Sequence, residues 1–305
     1  MSLHFEVVDV SGWALGQEET VGTGEGVWLT ELQGTTRWIY KPTTVKGGVT
    51  YGDDWAEKAA SEVARLLEVP AAHVELAVRE GRPGVISRNL RPETHDLVEG
   101  NLLLEAARAP GYVPGRLSGR PGHTPSNIQR VLAGYGSPPG AEVPADFSAY
   151  DVFCGYLVLD ALIANADRHD QNWAVLRCRT IEGPDLLCGA YDQGNSLGYN
   201  VLGDRRRRRL AEQDGGVAAW VAKGRAHRFE RTPGSSARTL VQLADDALAL
   251  TGPRIRSHWL ERVAALQAAD TSAVLAGIAE MSEEARSFAG RVLDLNRKRL
   301  LDGCH

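Results

Sequence analysis

The sequence is short of cysteine, of lysine and of long apolar runs, and each shortage excludes something. Four cysteines in 305 residues, Cys154, Cys178, Cys188 and Cys304, show no Cys-x-x-Cys spacing, so neither a disulfide framework nor a zinc knuckle is expected. No stretch approaches the ~18–20 apolar residues that span a bilayer, and the N-terminus lacks a basic, apolar, small-residue signal pattern. A cytoplasmic protein without a transmembrane segment is the expectation. Charge is nearly balanced, with 34 basic against 39 acidic residues and a net −5, so direct nucleic-acid binding is not expected. Lysine accounts for only five of the basic residues: Lys41, Lys46, Lys58, Lys223 and Lys298. In so arginine-rich a chain each lysine is worth locating.

What is present falls into two parts. Residues 5–41 read as strands at Glu6–Val10, Val27–Leu32 and Arg37–Lys41. Asp53–Val69 reads as a helix capped by Asp53 or Asp54 and stopped by Pro70. Residues 73–88 read as two more strands around the turn Glu80-Gly81-Arg82-Pro83-Gly84. A Pro/Gly-rich stretch follows over 109–146, broken by a short helix near Ser126–Ala133. A long apolar helix over Phe147–Ala164 comes next, and Ala237–Leu301 is mostly helical. The predicted architecture is α+β and bilobal: an N-lobe over 1–88, rich in strands with one helix, and a helical C-lobe over 89–305.

The densest polar run, Asn165-Ala166-Asp167-Arg168-His169-Asp170-Gln171-Asn172, is wedged between the long helix and the apolar strand Trp173–Leu176. An Asx-rich turn at a helix end would account for part of it. Two further features do not fit that account. Trp173–Arg177 and Leu186–Tyr191 read as a hairpin about Glu182-Gly183-Pro184, which would set Asn172 beside Asp192. A carboxylate and an amide oxygen together suit Mg²⁺ held jointly with phosphates. Asp167 also precedes Asn172 by five positions, and Asp192 opens Asp-Gln-Gly. These are the spacing and the Asp-x-Gly of a kinase catalytic loop and metal-binding segment.

A kinase needs a strand lysine for phosphates and a helix carboxylate to fix it. Strand alternation puts Ile39 and Lys41 on one face of Arg37–Lys41. On a helical wheel Glu62 falls within the Trp55, Ala59 and Leu66 stripe, whereas Glu57, Lys58, Arg65 and Glu68 fall on the far side. A carboxylate in an apolar stripe needs a partner, and Lys41 is the expected one. Gly22, Gly24 and Gly26 form a Gly-x-Gly-x-Gly run fifteen residues before Lys41, suited to close approach of backbone amides to phosphate.

Taken together, Trp38-Ile39-Tyr40-Lys41-Pro42, the Glu62 helix, Gly84–Asn89, Asp167–Asn172 and Asp192-Gln193-Gly194 make the chain resemble a HipA-like kinase. That group is related to the phosphoinositide 3/4-kinases, in which Arg-His likewise follow the catalytic Asp. The resemblance spans roughly residues 20–200. It implies that Asp167 orients or deprotonates the acceptor hydroxyl and that Asn172 and Asp192 hold Mg²⁺. It further implies that Lys41, fixed by Glu62, binds the phosphates of ATP, and that backbone groups near Ile86, Ser87 and Arg88 meet adenine. Arg168 and His169 are implied to brace the loop. HipA toxins carry an additional N-terminal region and a serine-bearing phosphate loop. Here there is almost no such region, and Thr23 is the sole hydroxyl of the glycine stretch, so a stand-alone kinase is expected rather than a toxin paired with a DNA-binding antitoxin.

Downstream of Asp192 comes the run Arg205, Arg206, Arg207, Arg208 and Arg209. It reads either as a solvated basic loop or helix start, or as a site for an acidic, phosphorylated or lipid acceptor. The activity expected is ATP- and Mg²⁺-dependent transfer to a Ser/Thr hydroxyl of a protein or peptide. The alternatives are a lipid or small-molecule kinase and a nucleotide-binding pseudokinase.

Overall fold

A computed structural model describes residues 3–16, 26–115, 119–181, 183–231 and 234–303. The first lobe is built on a sheet of strands β1 (Val7–Asp9), β2 (Ala14–Leu15), β3 (Val27–Thr30) and β4 (Arg37–Pro42), with two further strands after a helix. Between them lie a small hairpin, β5 (Val45–Lys46) and β6 (Val49–Thr50), and helix α1 (Asp53–Leu66); β7 (Val74–Arg79) and β8 (Arg82–Arg88) follow. The strand order is β1-β7-β8-β4-β3-β2, with β1 parallel to β7 and the other neighbours antiparallel. The β7–β8 turn is tighter than expected. Arg79 pairs with Arg82, and Glu80 and Gly81 both take positive φ, 51° and 75°, the two-residue turn that matches strand twist. Gly84 therefore lies inside β8 against β4, where a Cβ would stand 2.3 Å from the Lys41 carbonyl oxygen.

Strand alternation divides the sheet's faces. Leu29, Trp38, Tyr40, Ala77 and Ile86 are buried in one cluster. Val74, Leu76 and Val85 pack with α1 in the main core. On β4 the alternation leaves Ile39 and Lys41 part-exposed between buried Trp38 and Tyr40, as the sequence predicts.

The second lobe holds β9 (His95–Glu99) and helices α2 (Gly100–Ala106), α3 (Pro125–Val131) and α4 (Ala149–Ile163). Strands β10 (Ala174–Cys178) and β11 (Leu186–Leu187) join β9 in a sheet of order β11-β10-β9. Helices α5 (Gly203–Leu210), α6 (Gly216–Ala222), α7 (Leu240–Leu248), α8 (Pro253–Ala265), α9 (Ala268–Gly277) and α10 (Glu283–Gly303) complete it. Helix α4 is its axis and is buried on every side, which is why it reads as uniformly apolar rather than amphipathic. Ser148 and Asp151 form a reciprocal capping box at its start, and Ala164 ends it in the left-handed conformation, as caps of these types do. The polar loop thus leaves the end of a rigid, buried element.

The lobes meet on several contacts. The Ala72 N–H donates to the Ala190 carbonyl (2.8 Å) and the Ala190 N–H to that of Pro70 (2.9 Å). Glu68 pairs with Arg262. These bonds tie the start of β7 to the segment that delivers Asp192.

Candidate active site

The loop after α4 is held by buried charge. Arg168 is 2% exposed; its Nε and Nη2 donate to the two Asp160 carboxylate oxygens at 2.7 and 2.8 Å, and its Nη1 to the Asn172 carbonyl at 2.8 Å. A bidentate guanidinium–carboxylate pair of this kind fixes direction as well as charge. Asn165 Oδ1 accepts from the Asp167 N–H (3.0 Å), and Asn172 Nδ2 donates to the Asp167 carbonyl (2.8 Å). With its amide nitrogen committed in this way, the atom Asn172 could offer a cation is Oδ1. The His169 carbonyl accepts from the Asn172 N–H (2.9 Å), and its Nδ1 accepts from the Gln171 N–H (3.2 Å). Burial holds the His169 imidazole below its usual pKa. These positions suit a neutral ring inside the loop's bonding.

Across the cleft, Lys41 Nζ lies 2.7 Å from Asp192 Oδ1 and 3.3 Å from Glu57 Oε1. Burial acts to depress the lysine, but the two carboxylates outweigh it and raise its pKa. Lys41 in turn holds Asp192 below the ordinary carboxylate range. Burial raises Glu57 despite the lysine.

Here the structure corrects the sequence reading: the carboxylate on Lys41 is Glu57, not Glu62. Glu62 faces away, pairing with Lys58 (2.9 Å) and Arg65 (3.0 Å). Lys58 is 1% exposed and also reaches Glu75 Oε2 (2.9 Å) and the Val74 carbonyl (2.8 Å). Helix α1 is buried from Asp54 through Ala64, so both its faces need partners for their charges and a single-stripe wheel misassigns them.

The hairpin also differs from expectation. Val175 pairs with Leu187, where the predicted register pairs it with Gly189. Asp192 therefore does not reach the cleft by strand pairing with Asn172. It turns in through a left-handed residue, φ 61°, and Gly194 then passes so close to α1 that a Cβ would stand 3.0 Å from the Asp53 carbonyl and 3.3 Å from Glu57 Oε2. The glycine of Asp-x-Gly seats the segment against the helix that carries Glu57.

Two residues without a signal in the sequence sit on Asp167. Asn195 Nδ2 donates to Oδ2 at 2.5 Å, and Arg228 approaches Oδ1 at 2.6 Å. Arg228 is anchored in turn by His123, whose Nδ1 donates to the Arg228 carbonyl (2.6 Å) while Nε2 accepts from Trp173 Nε1 (3.2 Å). Those partners assign the neutral, Nδ1-protonated tautomer. Burial lowers the His123 pKa to about 4.

Lys41, Asp167, Asn172 and Asp192 line one cavity of about 1410 Å³. That is more than a small-molecule pocket usually needs and leaves room for a second reactant beside a nucleotide. Gly26 and Ile39 line it near Lys41, with the tip of Ile39 3.0 Å from where a Gly26 Cβ would be. Gly22 and Gly24 lie outside the described residues. The adenine-side expectation shifts along the chain. Ile86 is 1% exposed inside the first lobe's core, and its backbone lies in β8 between β4 and β7. The wall of the cavity is made instead by Ser87, Arg88 and the segment Asn89–Arg91 beyond the strand.

The arginine run forms α5 rather than a loop. Arg206 is buried with its guanidinium 5.9 Å from the Trp55 ring centroid, Arg207 pairs with Asp204 (2.5 Å) and Arg208 with Asp214 (2.7 Å), and Arg209 donates to the Asp214 carbonyl (2.5 Å). Residues 205–209 do not contribute to the cavity's lining. Among the described residues no cluster of three or more His, Cys, Asp or Glu is arranged to hold a metal. Asp192 and Asn172 supply two hard oxygen atoms, which fits Mg²⁺ completed by phosphate and water and does not fit a metal caged by protein alone.

No family model and no curated protein sequence matches the chain. Solved structures do match. A proinflammatory kinase of Helicobacter pylori, CtkA, superposes with a TM-score of 0.74 at 14% identity over 98% of this chain and 98% of that one. HipA of Shewanella oneidensis, solved in a toxin–antitoxin complex with HipB and operator DNA, superposes with a TM-score of 0.52 at 14% identity, covering 93% of this chain and 61% of that one. At such identity the likeness is one of fold.

Proposed function

We propose that this chain, whose fold is that of the HipA-like kinases, is an ATP- and Mg²⁺-dependent phosphotransferase acting on a Ser/Thr hydroxyl of a protein or peptide in the cytoplasm. One observation carries the reading: a single cavity is lined by Lys41, itself bridged to Glu57 and Asp192, and by Asp167 and Asn172. Lys41 binds phosphate oxygens of the nucleotide, and Glu57 keeps its ammonium aimed at them. Asp192 and Asn172 would hold Mg²⁺, which would supply charge neutralisation of the transferring phosphate. Asp167 accepts a hydrogen bond from the acceptor hydroxyl and orients it in line with the γ-phosphorus. The acceptor oxygen bonds to that phosphorus, the bond to the β–γ bridging oxygen breaks, ADP departs, and the acceptor proton passes through Asp167 to solvent. Among the described residues no helix is long and apolar enough to cross a membrane.

Incubation with Mg²⁺ and γ-labelled ATP, in parallel with a cell lysate and with separately extracted lipids, tests the reading. Label on protein supports it. Label on lipid alone supports a phosphoinositide-like kinase, and nucleotide binding without transfer supports a pseudokinase.

A further inference from the structure

The Asp167 carboxylate is engaged at both oxygens, and the two donors are of different kinds. Asn195 on Oδ2 is neutral. Arg228 on Oδ1 is a full charge, brought from 61 residues downstream, with its side chain 36% exposed to the cavity.

Its backbone is fixed. The Arg228 carbonyl is held by His123, the Phe229 ring stacks on His123 at 4.4 Å between centroids, and the Glu230 N–H donates to the His123 carbonyl at 2.9 Å. The Gly122 N–H donates back to Glu230 Oε2 at 2.5 Å, and the Arg231 N–H to the Gly119 carbonyl at 3.0 Å. Segments 119–123 and 228–231 are therefore one cross-bonded wall. That wall presents a second guanidinium, Arg120, to the same cavity.

A rigid backbone carrying a flexible cationic head next to the catalytic carboxylate is an unusual use of charge. Arg120 spends one N–H on the Gly115 carbonyl at 3.3 Å and has further donors of its fork for the cavity it lines. A planar guanidinium fork matches a carboxylate or phosphate better than it matches one carboxylate oxygen. We propose that Arg228 and Arg120 recognise an anionic group, carboxylate or phosphate, adjacent to the acceptor hydroxyl of a peptide. On binding, Arg228 exchanges from Asp167 to that group. The exchange releases Oδ1 for the hydroxyl at the moment the acceptor arrives and leaves Asp167 latched when only water is present. This inference rests on the phosphotransferase reading above, and it moves acidic-acceptor recognition from α5 to the wall facing Asp167.

Matched serine peptides with neutral, glutamate or phosphoserine neighbours test it, in two arms. Steady-state transfer by the full chain is expected to favour the anionic peptides by about 10- to 100-fold in kcat/KM, the range of one or two charge-assisted contacts. Arg228→Gln and Arg120→Gln should each shrink that preference toward unity, with Arg228→Lys intermediate because it keeps the charge without the fork. The glutamate and phosphoserine peptides separate the two sources of negative charge. In the second arm, equilibrium binding of the same peptides to the protein loaded with a non-hydrolysable ATP analogue should show the same preference and the same loss. That preference without any phosphoryl transfer would leave the anion site standing while removing the phosphotransferase reading. The proposal is overturned if wild type does not discriminate among the peptides, if Arg228→Gln discriminates as wild type does, or if the variants lose binding to anionic vesicles and not to anionic peptides.

Discussion

The Lys41 ammonium stands 2.7 Å from Asp192 Oδ1, joining residues 151 positions apart in the chain. With Glu57 at 3.3 Å, one cation faces two carboxylates, and the excess negative charge lies where a divalent cation and phosphates would come. Under the proposed phosphotransferase reading, Mg²⁺-nucleotide would give Asp192 a metal in place of lysine and Lys41 a phosphate in place of Asp192.

It follows that Asp192→Asn separates two affinities. Mg²⁺-ATP binding should weaken by at least about 10-fold, since a carboxylate ligand is lost. Metal-free ADP binding should hold or strengthen, because Lys41 is released from its partner. Titration calorimetry with and without EDTA reads both, and parallel losses would contradict the assignment.

The two glutamates of α1 should divide activity from stability. Glu57→Gln removes a charge from Lys41, and phosphoryl transfer should fall by about 10-fold or more with little change in the unfolding midpoint. Glu62→Gln leaves transfer within about twofold and lowers stability by roughly 1–3 kcal/mol, because buried Lys58 keeps Glu75 but loses a closer-buried partner. Urea unfolding beside an activity assay reads the pair, and the reverse pattern would restore Glu62 to the site.

Much of this was legible in the sequence, and each failure has its own physical cause. Strand alternation puts Lys41 on the cavity side of β4, and Asp167, Asn172 and Asp192 line the same cavity, although Asp192 reaches it by a turn and not by the expected hairpin register. The predicted edges of β4 and the outer edges of β7 and β8 fall within a residue of those observed, whereas β8 starts three residues earlier than the expected turn allows. Glu62 was misassigned because a wheel assumes one wet face, and α1 has none over most of its length. The hairpin register failed because β11 is only two residues long, too short for alternation to specify pairing. Strand β9, His-Asp-Leu-Val-Glu, has too little alternation to be seen. Arg228 and His123 lie in loops whose pairing depends on the whole second lobe, and local pattern carries no trace of it.

His123 gives the fold a pH dependence with a definite sign. Its folded pKa of about 4 lies below the ordinary imidazole value of about 6.5, so the unfolded chain binds the additional proton between those values. The stability contributed is complete above about pH 6.5 and is lost as pH falls toward 4, by on the order of 3 kcal/mol in all. Protonation would also abolish the Nε2 acceptor that Trp173 uses. Thermal unfolding from pH 7.5 to 4.5 should show a steeper decline for wild type than for His123→Asn, and identical slopes would contradict this role.

The most direct test of the account is transfer of the γ-phosphoryl group from Mg²⁺-ATP by wild type and by Asp167→Asn, measured with nucleotide affinity on the same preparations. The account predicts transfer by wild type, a loss of about 10³-fold or more in the variant, and nucleotide affinity unchanged within about threefold. Equal transfer by the two proteins, or none by wild type under conditions where it binds Mg²⁺-ATP, would contradict it.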